Sequence, residues 1–268
     1  MNDPPGTPEH VWQEWPGWTD LPVLPDPSGE VVVVSAHPDD EVLAIGGLLH
    51  SLSGQGTSVR FVVVTDGEGS HPGSPTWSPS ALADRRRMEI VDALATLGLG
   101  SAEVVHLGLP DSGLAGCAAE LVSSVKPLVA DADVVLHPWE HDGHPDHDAT
   151  GGAVRAAVSS TTRLWAYPLW AWHWTSPVDA CIPWHRARLF RPGTAGRAAK
   201  ECAIEAFTSQ LHPLSEHSAD AAVLPPQVLA HFRRDVEVLL DGSATPDPEV
   251  PAGTTRSPRP LDPPRART

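Results

Sequence analysis

Up to about residue 158, short runs of β-branched apolar residues alternate with longer stretches in which apolar positions recur every three or four residues. EVVVVS (30–35), SVRFVVVT (58–65), AEVVHL (102–107) and ADVVLHP (132–138) read as strands, apolar enough to be buried on both faces. Between them, helices are predicted over 41–53, where Val42, Leu43, Ile45, Leu48, Leu49 and Leu52 form one face, over 81–98, stopped by Gly98, and over 117–130. Another helix opens near Asp146 and runs to about Val158. This alternation predicts a three-layer α/β fold, a mostly parallel, Rossmann-like sheet with helices on both faces. Ligands of such sheets bind just beyond the carboxyl ends of the strands, which singles out the loops after residues 35, 65, 107 and 137.

The ends of the chain read differently. Residues 1–29 are rich in proline yet carry Trp12, Trp15 and Trp18, which predicts an extended arm packed on the surface of a single domain spanning 30–240. Trp165, Trp170, Trp172, Trp174 and Trp184 crowd an irregular, β-rich C-terminal segment; because tryptophan is mostly buried, core packing is a better reading than a ring-stacking platform. Residues 241–268, proline-rich and nearly devoid of large apolar side chains, are predicted to be a disordered tail.

Charge narrows the functional classes. Eighteen Lys and Arg against 34 Asp and Glu give a formal net charge of −16, which repels phosphate backbones and argues against nucleic-acid partners. Three cysteines without a CxxC pair give no basis for a disulfide framework or a thiolate metal site. The first residues lack the basic and apolar regions of a leader, and no run is long enough for a transmembrane segment, so a cytoplasmic protein is expected. Oligomeric state is not encoded in these patterns.

Two of the strand-end loops are chemically unusual. SAHPDDE (35–41) and HPWEHDGHPDHDATG (137–151) together supply His37, His137, His141, His144 and His147 with Asp39, Asp40, Glu140, Asp142, Asp146 and Asp148. Imidazole and carboxylate are the usual non-thiol ligands of Zn²⁺ and also suit Fe²⁺; a catalytic zinc keeps three protein ligands and one position for water. His37 and Asp40, three apart across a strand-to-helix turn stiffened by Pro38, can converge on one ion. Asp39 then stands beside the water as general base, an adequate one because zinc lowers its water's pKa to about 7. His144, near the metal without binding it, can donate a hydrogen bond to a developing oxyanion. Helix-start electrostatics, about 0.3–1 kcal/mol per acid, explain Glu41 but not a second His/Asp loop at the end of another strand. A nucleotide-binding loop is disfavoured because acids stand where phosphate needs glycine.

The pairing of AHPDDE with a downstream HPDH resembles the LmbE-like (PIG-L) family of zinc-dependent N-deacetylases, which act on N-acetylglucosamine groups of small glycosides and glycolipids. TDGE (65–68), RRMEIVDALATLG (86–98), LGLPDSGL (107–114) and KECAIEAFTSQ (200–210) strengthen a resemblance that covers about 31–158 and, more weakly, residues to about 212. It implies a small amino-sugar substrate, His37, Asp40 and His147 as zinc ligands, and Asp39 as base. His144 would stabilise the oxyanion or protonate the leaving amine, and Asp146 would orient His144 or its neighbour. The choice of His147 as third ligand rests on the resemblance alone. Glu68, Arg86 and Asp111 are implied in the sugar pocket, where such groups suit hydroxyls; the plainer reading is a surface Arg86–Glu89 pair and a turn cap at Asp111. Family members of mycothiol metabolism carry Tyr before GHPDH, where this chain has Asp142. That points away from a mycothiol-type substrate and puts Asp142 beside the ligand, favouring a neutral or cationic one. An amidase acting on a thiol conjugate or an antibiotic sugar is the alternative within the same chemistry.

Overall fold

Strand β1 (Val31–Ser35) turns Val31 and Val33 into one hydrophobic core and Val32 and Val34 into another, so it is buried on both faces as its unbroken apolar run predicts. The computed structural model describes residues 6–179 and 181–243. After β1 come helix α2 (Asp40–Gln55), β2 (Val59–Val63), α3 (Pro79–Thr96), β3 (Glu103–His106), α4 (Ala118–Val129), β4 (Val134–Pro138) and α5 (Pro145–Ala157). Each matches a predicted element to within a few residues. They are preceded by α1 (Glu9–Gln13) and followed by β5 (Arg163–Tyr167), α6 (Ala171–Trp174), β6 (Ala187–Phe190), α7 (Thr194–Ile204), α8 (Thr208–Leu211) and β7 (Glu237–Asp241).

The seven strands form one sheet in the order β3-β2-β1-β4-β5-β7-β6. β3, β2, β1, β4 and β5 are parallel, while β7 pairs antiparallel with both β5 and β6. Helix α2 packs on α7, which also meets α3, and α4 packs on α5, which together with the two cores gives the three layers expected. The antiparallel edge was not foreseen: it joins β5 to a strand about 70 residues further along, a pairing with no local signature.

Two features brace the N-terminal half of the domain. Helix α2 breaks its geometry at Ile45 (φ −132°, ψ 22°), and the N–H groups of Gly47 and Leu48 donate to the Glu237 carboxylate at 2.7 and 2.8 Å, with Lys200 Nζ 2.8 Å from the same group. The stretch expected as an extended surface arm instead carries α1 and sends Trp12 into the core at 0% exposure. Trp12 Nε1 donates to the Trp172 carbonyl at 2.8 Å, and Glu9 accepts from Arg234, whose guanidinium lies 4.6 Å from the Trp172 ring centroid. Residues 22–24 then run beside β6, with Leu24 N–H donating to the Leu189 carbonyl at 2.7 Å. Trp165 and Trp172 are core residues, as expected of the tryptophan crowd. The expected disordered tail lies, beyond Ser243, outside the described residues. Among the described residues no helix is long and apolar enough to cross a membrane.

Removing a fully buried indole costs both transfer energy and a cavity, so Trp12→Ala should lower unfolding stability by about 3–5 kcal/mol. Denaturant unfolding measures this; a loss below about 1 kcal/mol would show that the N-terminal segment is dispensable to the core.

Candidate metal centre

The order of the strands reverses between β1 and β4: from β1 the chain moves towards β2, from β4 towards β5. At this switch point the loops leave a crevice beyond the strand ends. The first loop brings His37, Asp39 and Asp40 to it, and the turn into α5 brings His144, Asp146 and His147. His137 points into the core at 0% exposure and His141 is exposed, so three of the five histidines converge.

Two sets of side chains place one donor atom each within 4.8 Å of one another, His37–Asp40–His147 and His37–His144–Asp146. Their hydrogen bonds distinguish them. His147 Nδ1 is 2.6 Å from Asp142 Oδ2, so its N–H is given to a carboxylate and the Nε2 lone pair is turned the other way. That Nε2 is buried with no hydrogen-bond partner and lies 3.2 Å from Asp40 Oδ1. Asp40 Oδ2 accepts from the backbone N–H groups of Ala36 and His37, at 3.0 and 2.9 Å, which fixes Oδ1 toward His147. His37 Nε2 sits 3.3 Å from both Asp146 Oδ2 and Asp111 Oδ1, leaving Nδ1 on the Asp40 side at 3.7 Å from its carboxylate. Each imidazole is therefore tied to a carboxylate by one nitrogen and offers the other beside Asp40, a donor set that fits a divalent cation. In the second set, the Asp146 oxygens accept from Ser112 N–H (2.7 Å) and Leu114 N–H (3.2 Å), and His144 Nδ1 accepts from Asp146 N–H (3.3 Å). Those donors are already committed.

Asp39 occupies an unusual backbone conformation, φ 138° and ψ −28°, as the residue that begins α2. Ser112 (φ 62°) is the other non-glycine residue with positive φ among the described residues, and it too borders the site. Strain of this kind costs about 1–3 kcal/mol and persists where surrounding contacts enforce it. Arg86 supplies much of that enforcement, donating to the Pro38 carbonyl at 2.8 Å and to Asp39 Oδ2 at 3.0 Å. Gly67 of TDGE lets Arg86 in: a Cβ there would lie 1.9 Å from Nη1, and Gly67 itself has φ 68°. Burial, outweighing the Arg86 charge, pushes the Asp39 carboxyl up to about 7. Burial holds His144 down to about 3, so it is neutral; with Nδ1 accepting, Nε2 carries the proton.

Several expectations change. Arg86, expected against the sugar, is 3% exposed, with Nη2 donating to Pro38 and Asp39 and Nη1 to the Gly67 carbonyl; Glu89 pairs with Arg85 instead. Asp142, expected beside the ligand, is 1% exposed beneath His147, and its carboxylate also accepts from the N–H groups of Leu169, Trp170 and Ala171. The inference about ligand charge drawn from it loses its basis. The Asp146 carboxylate meets His37, and only its backbone N–H meets His144. Asp111 does reach the site through His37, and Glu68 supports it by accepting from Asp111 N–H at 2.9 Å. Glu41 is fully buried, where burial pushes its carboxyl up to about 8, beyond what helix-start electrostatics require. Trp170, read with its neighbouring tryptophans as core packing, is instead half-buried and lies nearly parallel to His144 at 22° with ring centroids 6.4 Å apart. Its backbone bond to Asp142 places it there, and no local spacing announces that contact.

Fold and site together define an α/β protein with a His/Asp cluster of metal-ligand type at the topological switch point. Residues 32–158 match the family described as PIG-L: GlcNAc-PI de-N-acetylase. It is 32% identical over 135 residues to the Bacillus cereus protein named "Probable N-acetyl-alpha-D-glucosaminyl L-malate deacetylase 2", covering 48% of this chain and 60% of that one. It is 29% identical over 188 residues to the 1D-myo-inositol 2-acetamido-2-deoxy-alpha-D-glucopyranoside deacetylase of Rhodococcus opacus, covering 60% of each. The chain thus spans three-fifths of the length of these relatives. A conserved protein of Thermus thermophilus shares the fold with a TM-score of 0.56, at 24% identity over 84% of this chain and 99% of that one.

The two donor sets make opposite demands. His147→Ala should weaken Zn²⁺ binding at least 100-fold and Asp142→Asn by about 10–100-fold, while His144→Ala leaves it within about threefold. Competition with a chromophoric chelator reads all three, and the reverse ranking of His147 and His144 would move the ion to the second set.

Proposed function

We propose that the protein is a zinc-dependent de-N-acetylase that removes the acetyl group from the amide nitrogen of an N-acetylglucosamine-like sugar in a small glycoside. The observation that carries this reading is the convergence of His37, Asp40 and His147 at the switch point, within the segment that matches the PIG-L family, with Asp39 and His144 beside them. The names of the Bacillus cereus and Rhodococcus opacus relatives, both deacetylases of glucosamine derivatives, support the substrate class.

In this reading His37, Asp40 and His147 hold the zinc ion. When bound, the ion supplies Lewis acidity, which favours ionisation of a water near neutral pH and polarises the substrate carbonyl. Asp39 takes the proton from the attacking water, its carboxylate held in place by Arg86 and by the strained start of α2. His144, neutral and protonated on Nε2, donates to the carbonyl oxygen as negative charge gathers there. The C–N bond then breaks and the proton held by Asp39 passes to the departing nitrogen, giving acetate and the free amine. Asp142 keeps the tautomer of His147 and Asp146 that of His37, which makes both carboxylates positioning residues rather than substrate contacts. Half-buried Trp170 backs His144 and limits the directions in which its ring can turn.

Losing a positioned general base costs about 10²–10⁴ in rate. Asp39→Ala should therefore retain one zinc per chain and lose about 10³ in kcat for release of acetate from N-acetylglucosamine glycosides. Turnover equal to that of the parent protein would remove Asp39 from the role of base; loss of zinc would instead make it part of the ion's cage.

A further inference from the structure

Beside the centre, the loop between β2 and α3 borders an open cleft of about 590 Å³ that the chemistry above leaves unused. Its near end is two contacts from His37: Gly69 N–H donates to Asp111 Oδ2 at 2.8 Å, and Asp111 Oδ1 lies 3.3 Å from His37 Nε2. Its far wall is anchored, because the Thr76 hydroxyl donates to Asp220, which also accepts from Ser215. Three prolines, Pro72, Pro75 and Pro79, stiffen the rim. The cleft thus has the size and the preformed walls of a small-molecule site.

Its lining says what would fit. The half-buried indole of Trp77 offers an aromatic face, and Glu68 offers a carboxylate that accepts from hydroxyl groups. Among the described residues neither lysine nor arginine lines it, and burial together with the nearby Arg86 charge lowers the pKa of His71, its one imidazole. Carboxylates stand on its wall and behind it, at Glu68, Asp111 and Asp220. An anion placed there would face Glu68, with Asp111 and Asp220 behind it and the nearby Arg86 guanidinium already paired with Asp39, whereas a hydroxylated ring would find a stacking face and an acceptor.

We propose that this cleft is the subsite for the group glycosidically attached to the N-acetylated sugar, and that it takes a neutral, hydroxylated ring stacked on Trp77 in preference to an anionic group. The proposal rests on the de-N-acetylase reading for the position of the amide. It separates the two relatives' substrates by chemistry: a cyclitol glycoside suits the cleft and an L-malate glycoside, a dianion, does not.

Calorimetric titration of the zinc-loaded, full-length Asp39→Ala protein tests it with three probes: 1D-myo-inositol 2-acetamido-2-deoxy-α-D-glucopyranoside, the corresponding L-malate glycoside, and N-acetylglucosamine. The inositol glycoside should bind about tenfold or more tightly than the malate glycoside. Adding Trp77→Ala should weaken the inositol glycoside by about three- to tenfold and leave N-acetylglucosamine within about twofold, and Trp77→Phe should restore the difference. Preference for the malate glycoside, equal weakening of both sugars by Trp77→Ala, or no binding of any probe would overturn the proposal. Turnover by the parent protein is scored separately. If the inositol glycoside binds through Trp77 but releases no acetate, the catalytic reading falls and the subsite stands; if acetate is released with no role for Trp77, the subsite falls and the catalytic reading stands.

Discussion

β1 and β4 lie side by side and parallel, yet the chain leaves them in opposite directions, and the gap this opens at their carboxyl ends is where the chemistry collects. Because both strands are buried on both faces, their ends are fixed by two hydrophobic cores rather than by the loops themselves. Loops hung from such ends start from known positions. Shortly after one strand the chain turns into α2, carrying His37 and Asp40; after the other it turns into α5, carrying His144 and His147.

Crowding carboxylates and imidazoles into a nearly dry crevice is costly unless each is paired, since an unmatched buried charge loses several kcal/mol of hydration. The partners come from separate parts of the fold. Arg86 on α3 meets Asp39, Asp142 after β4 meets His147, Asp146 on α5 meets His37, and backbone N–H groups of the first loop meet Asp40. Four elements must therefore be in place before the cluster is electrostatically tolerable, which ties the integrity of the site to that of the sheet. Positive φ at Asp39 and Ser112 follows the same rule: both strained residues sit where hydrogen bonds from neighbouring elements hold them.

Much of this was legible in the order of residues. Apolar runs located the central strands, three-to-four periodicity located their helices, and the spacing of His37 and Asp40 across a strand-to-helix turn singled out two residues that the fold brings together in a candidate donor set. His147 and His144 could not be separated by spacing, because both stand at the start of one helix; the difference lies in Asp142, whose bond to His147 Nδ1 exists only in three dimensions. Arg86 and Asp142 were misplaced for a related reason. A charged side chain in a functional segment carries no mark that says whether it faces a ligand or another side chain, and here both face inward. The antiparallel edge and the stacking of Trp170 on His144 depend on long-range pairing, which local pattern does not encode.

In the proposed function, which donors surround the zinc ion decides the roles of all the others. Crystals of the zinc-loaded protein, measured on either side of the zinc absorption edge, give its position directly. One anomalous peak is expected, bounded by His37, Asp40 and His147, with His144 and Asp39 nearby but unbound. A peak bounded by His37, His144 and Asp146, or none in the crevice between β1 and β4, would contradict this assignment.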